Sequence, residues 1–357
     1  MSTKSFFEYL GIANVERIHS QFFAWVFSSD CNAIDSDQKN ELLQNIFQLD
    51  NNSQILHTET ERNKIDILIQ TNKEIVVVEN KLKSSQHSNQ LTRYKDFCDK
   101  EFPDIKKHYF FLTLIGEYTF DNNWKRISYF DIYEQFNSLE LKSDTNHTVI
   151  VNEYLIFLKQ LVSVVEDFKK TPHKYDMVFL DGKRKKEKKI NDNYDENINK
   201  KFIATNQLET ILQKCFLGSL VDELKCHEAI ISDTRGDALV DFPIKRQIEY
   251  EGKYYTTIIQ LQKDTIKFAF TIHGGDYTKS QKVWIDNIIL KMERLRLENN
   301  CGYKKLNKPK SKAYVSISKK INGHYWHKNL SDLTKYITAE IENGKSLSEQ
   351  FIKLLNE

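Results

Sequence analysis

The fold of the chain can be inferred from two short runs, Lys64-Ile-Asp-Ile-Leu-Ile-Gln70 and Glu74-Ile-Val-Val-Val-Glu-Asn-Lys81. Both runs are rich in β-branched residues, and a polar turn at residues 71–73 separates them, so together they predict a β-hairpin. The Ile-Val-Val-Val segment lacks polar alternation, which is typical of a strand buried on both faces. The second run is therefore predicted to be a central strand of a sheet.

Three charged residues at the ends of these strands form the strongest candidate site. Asp66 lies in the first run, and Glu79 and Lys81 end the second. Residues i and i+2 of a strand point to the same face, so Glu79 and Lys81 project together, and Asp66 can converge with them across the hairpin. One lysine leaves one of two carboxylate charges uncompensated, which a divalent cation such as Mg²⁺ would balance. This set suits metal-assisted phosphodiester hydrolysis; the alternative is a surface hairpin whose charges are solvated.

The order of the motifs resembles the PD-(D/E)XK nuclease superfamily, and more closely a bacterial branch of it. The hairpin supplies Lys64-Ile-Asp-Ile67 and Val78-Glu-Asn-Lys81, with isoleucine where the superfamily pattern has proline. Gln90-Leu-Thr-Arg-Tyr94 follows where the branch has Q-L-x-x-Y. Upstream, residues 16–25 are similar to the branch's helix of type E-x-x-x-S-x-x-L-x-W, with Phe23 in place of leucine. The resemblance covers about residues 10–165.

The resemblance implies an α/β fold with a restriction-endonuclease-like core, a mixed central sheet flanked by helices. It implies hydrolysis that depends on Mg²⁺, with Mn²⁺ as a substitute. Asp66 and Glu79 would be metal ligands, and Lys81 would act at the water and the scissile phosphate. Glu16 would be an additional metal ligand, and Gln90 would be catalytic beside them. The implied substrate is nucleic acid, DNA in preference to RNA, cut by an endonuclease or exonuclease that often serves bacterial defence against phage or foreign DNA.

Several of these residues also have a structural interpretation. Gln90 and Tyr94 are four residues apart on a predicted helix and share a face, so both can pack on the sheet, with the Tyr94 hydroxyl anchored in the core. His19 is interpreted first as a structural histidine of its helix, with its hydrogen-bonding groups satisfied. For Glu16 the alternative is a solvated carboxylate in the first helix.

The domain organisation is inferred from changes of pattern along the chain. Residues 1–170 are predicted to form the nuclease-like domain, and 196–357 a C-terminal α+β domain for substrate binding or regulation. Residues 171–195 lose periodicity and contain Lys183-Arg-Lys-Lys-Glu-Lys-Lys189, so they are predicted to be a basic linker or loop. Helices are predicted over about 5–27, 38–49, 86–100, 150–168, 197–225 and 280–298, and further strands over about 108–115, 127–132, 238–242, 254–262, 265–272 and 313–318.

The composition excludes several classes of protein. Apolar residues make up 40% of the 357 residues and aromatic residues 12%, which is enough for a substantial core and excludes wholesale disorder. Only 11 glycines and 4 prolines are present, so collagen-like and long-linker architectures are excluded. The net charge of +2 hides an uneven distribution, because residues 1–150 carry a net charge of −6 and residues 151–357 a net charge of +8.

The densest basic stretch runs from Tyr303 to Lys320 and contains seven lysines and no acidic residue. Its interleaved tyrosines could stack on bases while the lysines neutralise phosphates, so we predict that it binds nucleic acid. The residues expected to do so are Lys304, Lys305, Lys308 and Lys310. The alternative is a solvated loop and an edge strand protected by lysines.

The sequence also bears on location and partners. It contains no run of about 18 apolar residues and no signal-peptide pattern, so neither a membrane span nor a membrane partner is expected. Five scattered cysteines fit a reducing compartment, and the expected location is the cytoplasm. The resemblance leaves room for a homo-oligomer or for a partner protein of a defence system. Two other functions stay open: an RNA-directed nuclease, and a non-catalytic module that binds nucleic acid or mediates assembly.

Overall fold

A five-stranded mixed sheet forms the core of the first part of the chain in this computed structural model, which describes residues 4–49, 52–83, 90–119, 121–143, 145–179, 197–276, 282–308 and 312–357. The strands are β1 (Ile55–Glu59), β2 (Ile67–Thr71), β3 (Glu74–Lys81), β4 (Lys106–Thr113) and β5 (Trp124–Ser128). They lie side by side in chain order. The pairs β1–β2 and β2–β3 are antiparallel, whereas β3–β4 and β4–β5 are parallel. The predicted hairpin and mixed sheet are confirmed.

Helices surround this sheet, as predicted. The helices are α1 (Phe6–Tyr9), α2 (Glu16–Phe27), α3 (Ser36–Phe47), α4 (Gln90–Glu101), α5 (Tyr129–Asn137), α6 (Asn146–Lys170), α7 (Ile198–Asn206) and α8 (Glu209–Leu224). A 3-10 segment, Pro172–Phe179, follows α6 and packs on it.

The central strand β3 separates two apolar layers because its side chains alternate between the faces of the sheet. All eight of its residues are buried. Ile75 and Val77 pack in a core cluster with Leu91 of α4. Val78 lies on the other face, in an apolar cluster with Phe23 of α2. Residues with odd numbers in β3 therefore face α4, and residues with even numbers face α2.

Two helices predicted as continuous are interrupted in the structure. The predicted helix 5–27 breaks between α1 and α2, where Gly11 has a positive φ of 65° and a Cβ would lie 3.1 Å from the carbonyl oxygen of Thr205. The predicted helix 197–225 breaks at Gln207, whose φ of 51° is left-handed. Each apolar stripe continues across its break, so periodicity alone does not reveal the turn.

The strand predicted over 127–132 is also shifted. It ends at Ser128, and α5 begins at Tyr129. The Ser128 side chain accepts a hydrogen bond from the backbone N–H of Asp131, and the Asp131 side chain accepts one from the backbone N–H of Ser128. This capping box starts the helix directly after the strand.

An antiparallel six-stranded sheet forms the core of the second part of the chain, in agreement with the predicted α+β fold. The strands are β6 (Ile230–Thr234), β7 (Asp237–Tyr250), β8 (Lys253–Gln262), β9 (Thr265–Asp276), β10 (Lys305–Asn307) and β11 (Lys312–Lys320). Their order in the sheet is β10-β11-β9-β8-β7-β6. Helices α9 (Lys282–Glu298) and α10 (Leu330–Asn356) accompany the sheet, and α10 packs on β7 and β8.

The contacts divide the chain into two compact units, Met1–Phe216 and Leu217–Glu357, and the division falls within α8. The sequence pattern predicts a linker at residues 171–195, and this boundary stays a prediction. The segment Pro172–Phe179 packs on α6, and α7 packs on α1, where the backbone N–H of Ala13 donates to Oδ1 of Asn206 at 3.0 Å. Both therefore belong to the first unit. The basic run 183–189 lies outside the described residues.

One helix of the described part of the chain, α6, is long and apolar enough to cross a membrane by length and composition alone, with a mean hydropathy of 1.5. The core helix of a soluble protein passes the same test. In α6 a continuous face is buried in the first unit, where Tyr154, Phe157 and Leu161 are fully enclosed. This packing accounts for the apolar composition of that face.

We expect Gly344→Ala in α10 to destabilise the second unit by roughly 1–3 kcal/mol, because a Cβ at this position would overpack the core. It would lie 2.7 Å from Cγ1 of Ile259 and 3.2 Å from Cδ1 of Ile244. Alanine is favoured over glycine in a helix by about 1 kcal/mol. If residue 344 had space for a Cβ, the substitution would therefore stabilise the unit. Urea unfolding measures the change. Glu349→Ala, on the exposed face of the same helix, is the matched control, and a stabilised Gly344→Ala would contradict the close approach.

Candidate active site

The structure brings Asp66, Glu79 and Lys81 together at one end of the sheet. Asp66 immediately precedes β2, and the register of Ile67 with Val78 places it opposite the end of β3. Its Oδ2 atom accepts a hydrogen bond of 2.7 Å from the backbone N–H of Asn80. Lys81 Nζ forms an ion pair with Oε1 of Glu79. The alternation of β3 directs Glu79 and Lys81 to the same face, as predicted.

The pKa values of this group are shifted because one positive charge, that of Lys81, lies beside two buried carboxyl groups. Burial and the neighbouring Asp66 raise the pKa of Glu79 from 4.5 to about 8, and burial also raises the pKa of Asp66. Burial disfavours the charged form of Lys81, but Glu79 and Asp66 outweigh it and raise its pKa. Lys81 is therefore an ammonium at neutral pH. Without a further cation, the two carboxyl groups do not both ionise readily.

A divalent cation fits this donor set. The Oε2 atom of Glu79 is buried and accepts no hydrogen bond within the described residues. A buried carboxylate oxygen without a donor is costly, and Mg²⁺ binds through one or two carboxylates with waters and phosphate oxygens completing its shell. Asp66 and Glu79 would supply those two carboxylates.

Gln90 and Tyr94, at the start of α4, reach this group from the adjacent helix. The Gln90 side-chain N–H₂ donates to Oε1 of Glu79 and to the Tyr94 hydroxyl, each at 2.7 Å. The Tyr94 hydroxyl donates in turn to the carbonyl oxygen of Lys64. Tyr94 is 1% exposed, so its ring belongs to the core. Gln90 therefore touches a carboxylate of the site, and Tyr94 positions Gln90.

Glu16 lies near the same end of β3 in a different role. It begins α2, and its Oε1 atom accepts hydrogen bonds from the backbone N–H groups of Leu82 at 2.9 Å and Lys83 at 3.0 Å. Among the described residues, no three His, Cys, Asp or Glu side chains gather as a ligand set. Glu16 thus holds the turn after β3, and its role as a metal ligand stays a prediction.

Asn80 is the residue that sequence reasoning missed. It lies between Glu79 and Lys81 but faces α2, where its side-chain N–H₂ donates to the Glu16 carbonyl oxygen at 3.1 Å and to Ser20 Oγ at 3.0 Å. Its Oδ1 atom accepts from the Tyr129 hydroxyl at 2.8 Å. The signal was an asparagine within an otherwise apolar face of a buried strand, because a buried amide needs partners on every atom.

His19 is a core residue, in line with its structural interpretation. Its ring is fully buried and stacks on Phe157, with ring nitrogens 2.6 Å from the Tyr154 hydroxyl and 3.2 Å from the carbonyl oxygen of Ala13. Burial lowers the pKa of His19 to about 4, so the imidazole is neutral at physiological pH. Both ring nitrogens are engaged in these contacts, away from the carboxylates of the site.

The basic stretch of the second unit keeps only part of its predicted character. Lys304, Lys305 and Lys308 are exposed, and Lys310 lies outside the described residues. Tyr303 is 1% exposed, and its hydroxyl donates to Oε2 of Glu340 at 2.9 Å, so this ring is unavailable for stacking on bases. In the described residues, the stretch therefore presents exposed lysines next to a tyrosine that is buried in the core.

Comparison with known proteins identifies one family. A family model described as the PD-(D/E)XK nuclease superfamily matches residues 4–232. The match covers the five-stranded sheet and the residues that converge at the end of β3. No curated protein and no solved structure matches the chain.

We expect Glu79→Gln to flatten the pH dependence of stability in the absence of divalent metal. The folded-state pKa of Glu79 is raised from 4.5 to about 8, so the folded state binds more protons than the unfolded state between these values. The free energy of unfolding of the wild type therefore falls as the pH rises from about 5 to about 8.5, by on the order of 2–4 kcal/mol. Glutamine mimics the neutral acid and loses this slope. Urea unfolding in EDTA at each pH measures both proteins.

Glu349→Gln, which removes an exposed carboxylate, serves as the control and should follow the wild type. Added Mg²⁺ should reduce the slope of the wild type, because the cation favours the ionised carboxylates. Equal slopes for the wild type and Glu79→Gln in EDTA would show that Glu79 is not the titrating group.

Proposed function

The chain belongs to the PD-(D/E)XK nuclease superfamily, and from this premise we propose that it is a metal-dependent nuclease that hydrolyses phosphodiester bonds of DNA. The observation that carries the proposal is the intact set of Asp66, Glu79 and Lys81 at the end of a buried strand, where Oε2 of Glu79 has no donor among the described residues. A module that only binds nucleic acid has no need for this destabilising arrangement.

Asp66 and Glu79 would hold Mg²⁺, or Mn²⁺ in its place, with Glu16 next to them at the turn that follows β3. The cation supplies Lewis-acid polarisation of the phosphate and lowers the pKa of a bound water. In the reaction the oxygen of water bonds to phosphorus and the bond from phosphorus to one bridging oxygen breaks. One proton of the water ends on the leaving oxygen, and the other stays with the phosphate product until solvent removes it.

Lys81 contributes positive charge in this scheme. Because its raised pKa keeps it protonated, it donates hydrogen bonds to the attacking water or to a phosphate oxygen and offsets the negative charge of the transition state. It does not act as the base. Gln90 holds Oε1 of Glu79 from α4, which fixes the orientation of that carboxylate.

The other unit would bind the substrate through Lys304, Lys305, Lys308 and Lys310. The first three are exposed and able to meet phosphates. No disulfide joins any of the five cysteines, all of which lie in the described part of the chain, and this supports a reducing compartment such as the cytoplasm. A role in defence against phage or foreign DNA is part of this proposal on the strength of the resemblance.

Lys81→Ala should lower cleavage by about 10²–10³-fold, because it removes the cationic donor at the water and phosphate. Wild type and variant are incubated with Mg²⁺ or Mn²⁺ and duplex DNA, single-stranded DNA or structured RNA. Lys100→Ala, at an exposed position of α4, is the matched control and should cut like the wild type. A wild type that binds but cuts none of these polymers would favour the non-catalytic module, and a preference for the RNA would replace DNA as substrate.

The variant with Lys304, Lys305, Lys308 and Lys310 changed to Gln should bind DNA more weakly. Each lost phosphate contact should reduce the slope of log K against log salt by about 0.9. Fluorescence anisotropy over a salt series measures this slope. A variant with Lys245 of β7 and Lys335, Lys345 and Lys353 of α10 changed to Gln removes the same four charges at other exposed positions and controls for net charge. A slope equal to that of the wild type would remove this stretch from the interface.

A further inference from the structure

The hydroxyl of Thr113 lies beside the candidate active site and takes part in none of the contacts of that site. Thr113 is the last residue of β4 and pairs in register with Lys81 of the parallel strand β3. Neighbouring strands lie about 4.8 Å apart, and residues in register point to the same face. Tyr109 and Phe111, which precede Thr113 on its face, pack in the cluster that contains Val77. Thr113 therefore shares the face that carries Lys81.

This hydroxyl is buried and has no hydrogen-bond partner in the described part of the chain. Thr113 is 1% exposed, and its Oγ1 atom makes no hydrogen bond within the described residues. A buried hydroxyl without a partner destabilises a folded protein. Valine has the same shape and would continue the apolar side of β4 without that penalty. Packing alone therefore does not explain a threonine here.

The surroundings indicate what the hydroxyl would bind. Lys81, the residue in register with Thr113, carries an ammonium, which is a donor only. A hydroxyl both donates and accepts, so a water placed between the two can accept from Lys81 and donate to Oγ1 of Thr113. Those two hydrogen bonds leave a lone pair of the water free to face a phosphorus atom. The carbonyl oxygen of Lys81 accepts from the N–H of Leu114 at 3.3 Å, which keeps the two strand ends together.

We propose that Thr113 is a further catalytic residue, whose hydroxyl orients the attacking water against Lys81. The inference rests on the proposed nuclease function and deepens it, because it assigns a holder to the nucleophile. It separates the two parts of the site: Asp66 and Glu79 serve the cation, whereas Thr113 and Lys81 serve the water.

The test compares Thr113→Val, which removes only the hydroxyl, with Thr113→Ser, which keeps it. With Mg²⁺ and the polymer that the wild type cuts best, Thr113→Val should lower kcat by about tenfold to a hundredfold with KM within about twofold, while Thr113→Ser stays within about threefold of the wild type. The Tm of Thr113→Val should equal or exceed that of the wild type. Thr58→Val removes another buried hydroxyl of the same sheet that has no partner among the described residues, and it should leave kcat unchanged.

Lower kcat in Thr113→Val with an undiminished Tm and an active Thr113→Ser supports the proposal. Thr113→Ala provides a second deletion of the hydroxyl if the valine variant is not folded, and the same fall in kcat is expected of it. If the wild type is active and Thr113→Val cuts at the same rate, the inference about Thr113 is overturned and the proposed nuclease function is not. A change confined to KM also overturns it, because the hydroxyl would then bind substrate. A wild type that cuts no polymer overturns the proposed function and this inference with it.

Discussion

The unbalanced charge at the end of β3 is the constraint on which the rest of the first unit depends. Two carboxylates and one ammonium are held where water is largely excluded, and burial raises the pKa of both acids. Such a group destabilises the fold unless surrounding contacts fix it. The apolar layers on both faces of β3 provide that rigidity, since Val76 and Val77 are fully enclosed next to the polar residues.

Strand β3 carries out two tasks because its side chains alternate. Glu79 and Lys81 face α4, where Gln90 contacts the carboxylate. Asn80 faces α2 and ties that helix to the strand, while its backbone N–H holds Asp66. A single residue thus links α2, which carries Glu16, with β3 and with the carboxylate of Asp66. The charged group of Glu79 and Lys81 and the residue that binds α2, Asn80, therefore occupy adjacent positions of one strand.

The second unit has a different chemical character. Its helices pack on an antiparallel sheet, and the exposed lysines of its basic stretch lie on β10 and directly beside it. Tyr303 anchors this stretch to Glu340 of α10, and Lys319 pairs with the same carboxylate. The stretch is therefore a charged surface on an ordered framework. The average net charge of the chain conceals the contrast between this unit and the acidic N-terminal region.

The sequence by itself determined the hairpin, the mixed sheet and the convergence of Asp66, Glu79 and Lys81, because strand periodicity and β-branched composition are local properties. It also indicated the helix that carries Gln90. Only the tertiary structure decided the breaks at Gly11 and Gln207, since these depend on backbone conformation and on a close approach to a distant helix. The roles of Asn80, Glu16 and His19 were likewise decided by partners far away in the chain. A hydrogen bond between residues 60 or more positions apart leaves no periodic trace in the sequence, so the polar network around the site became visible only in the fold.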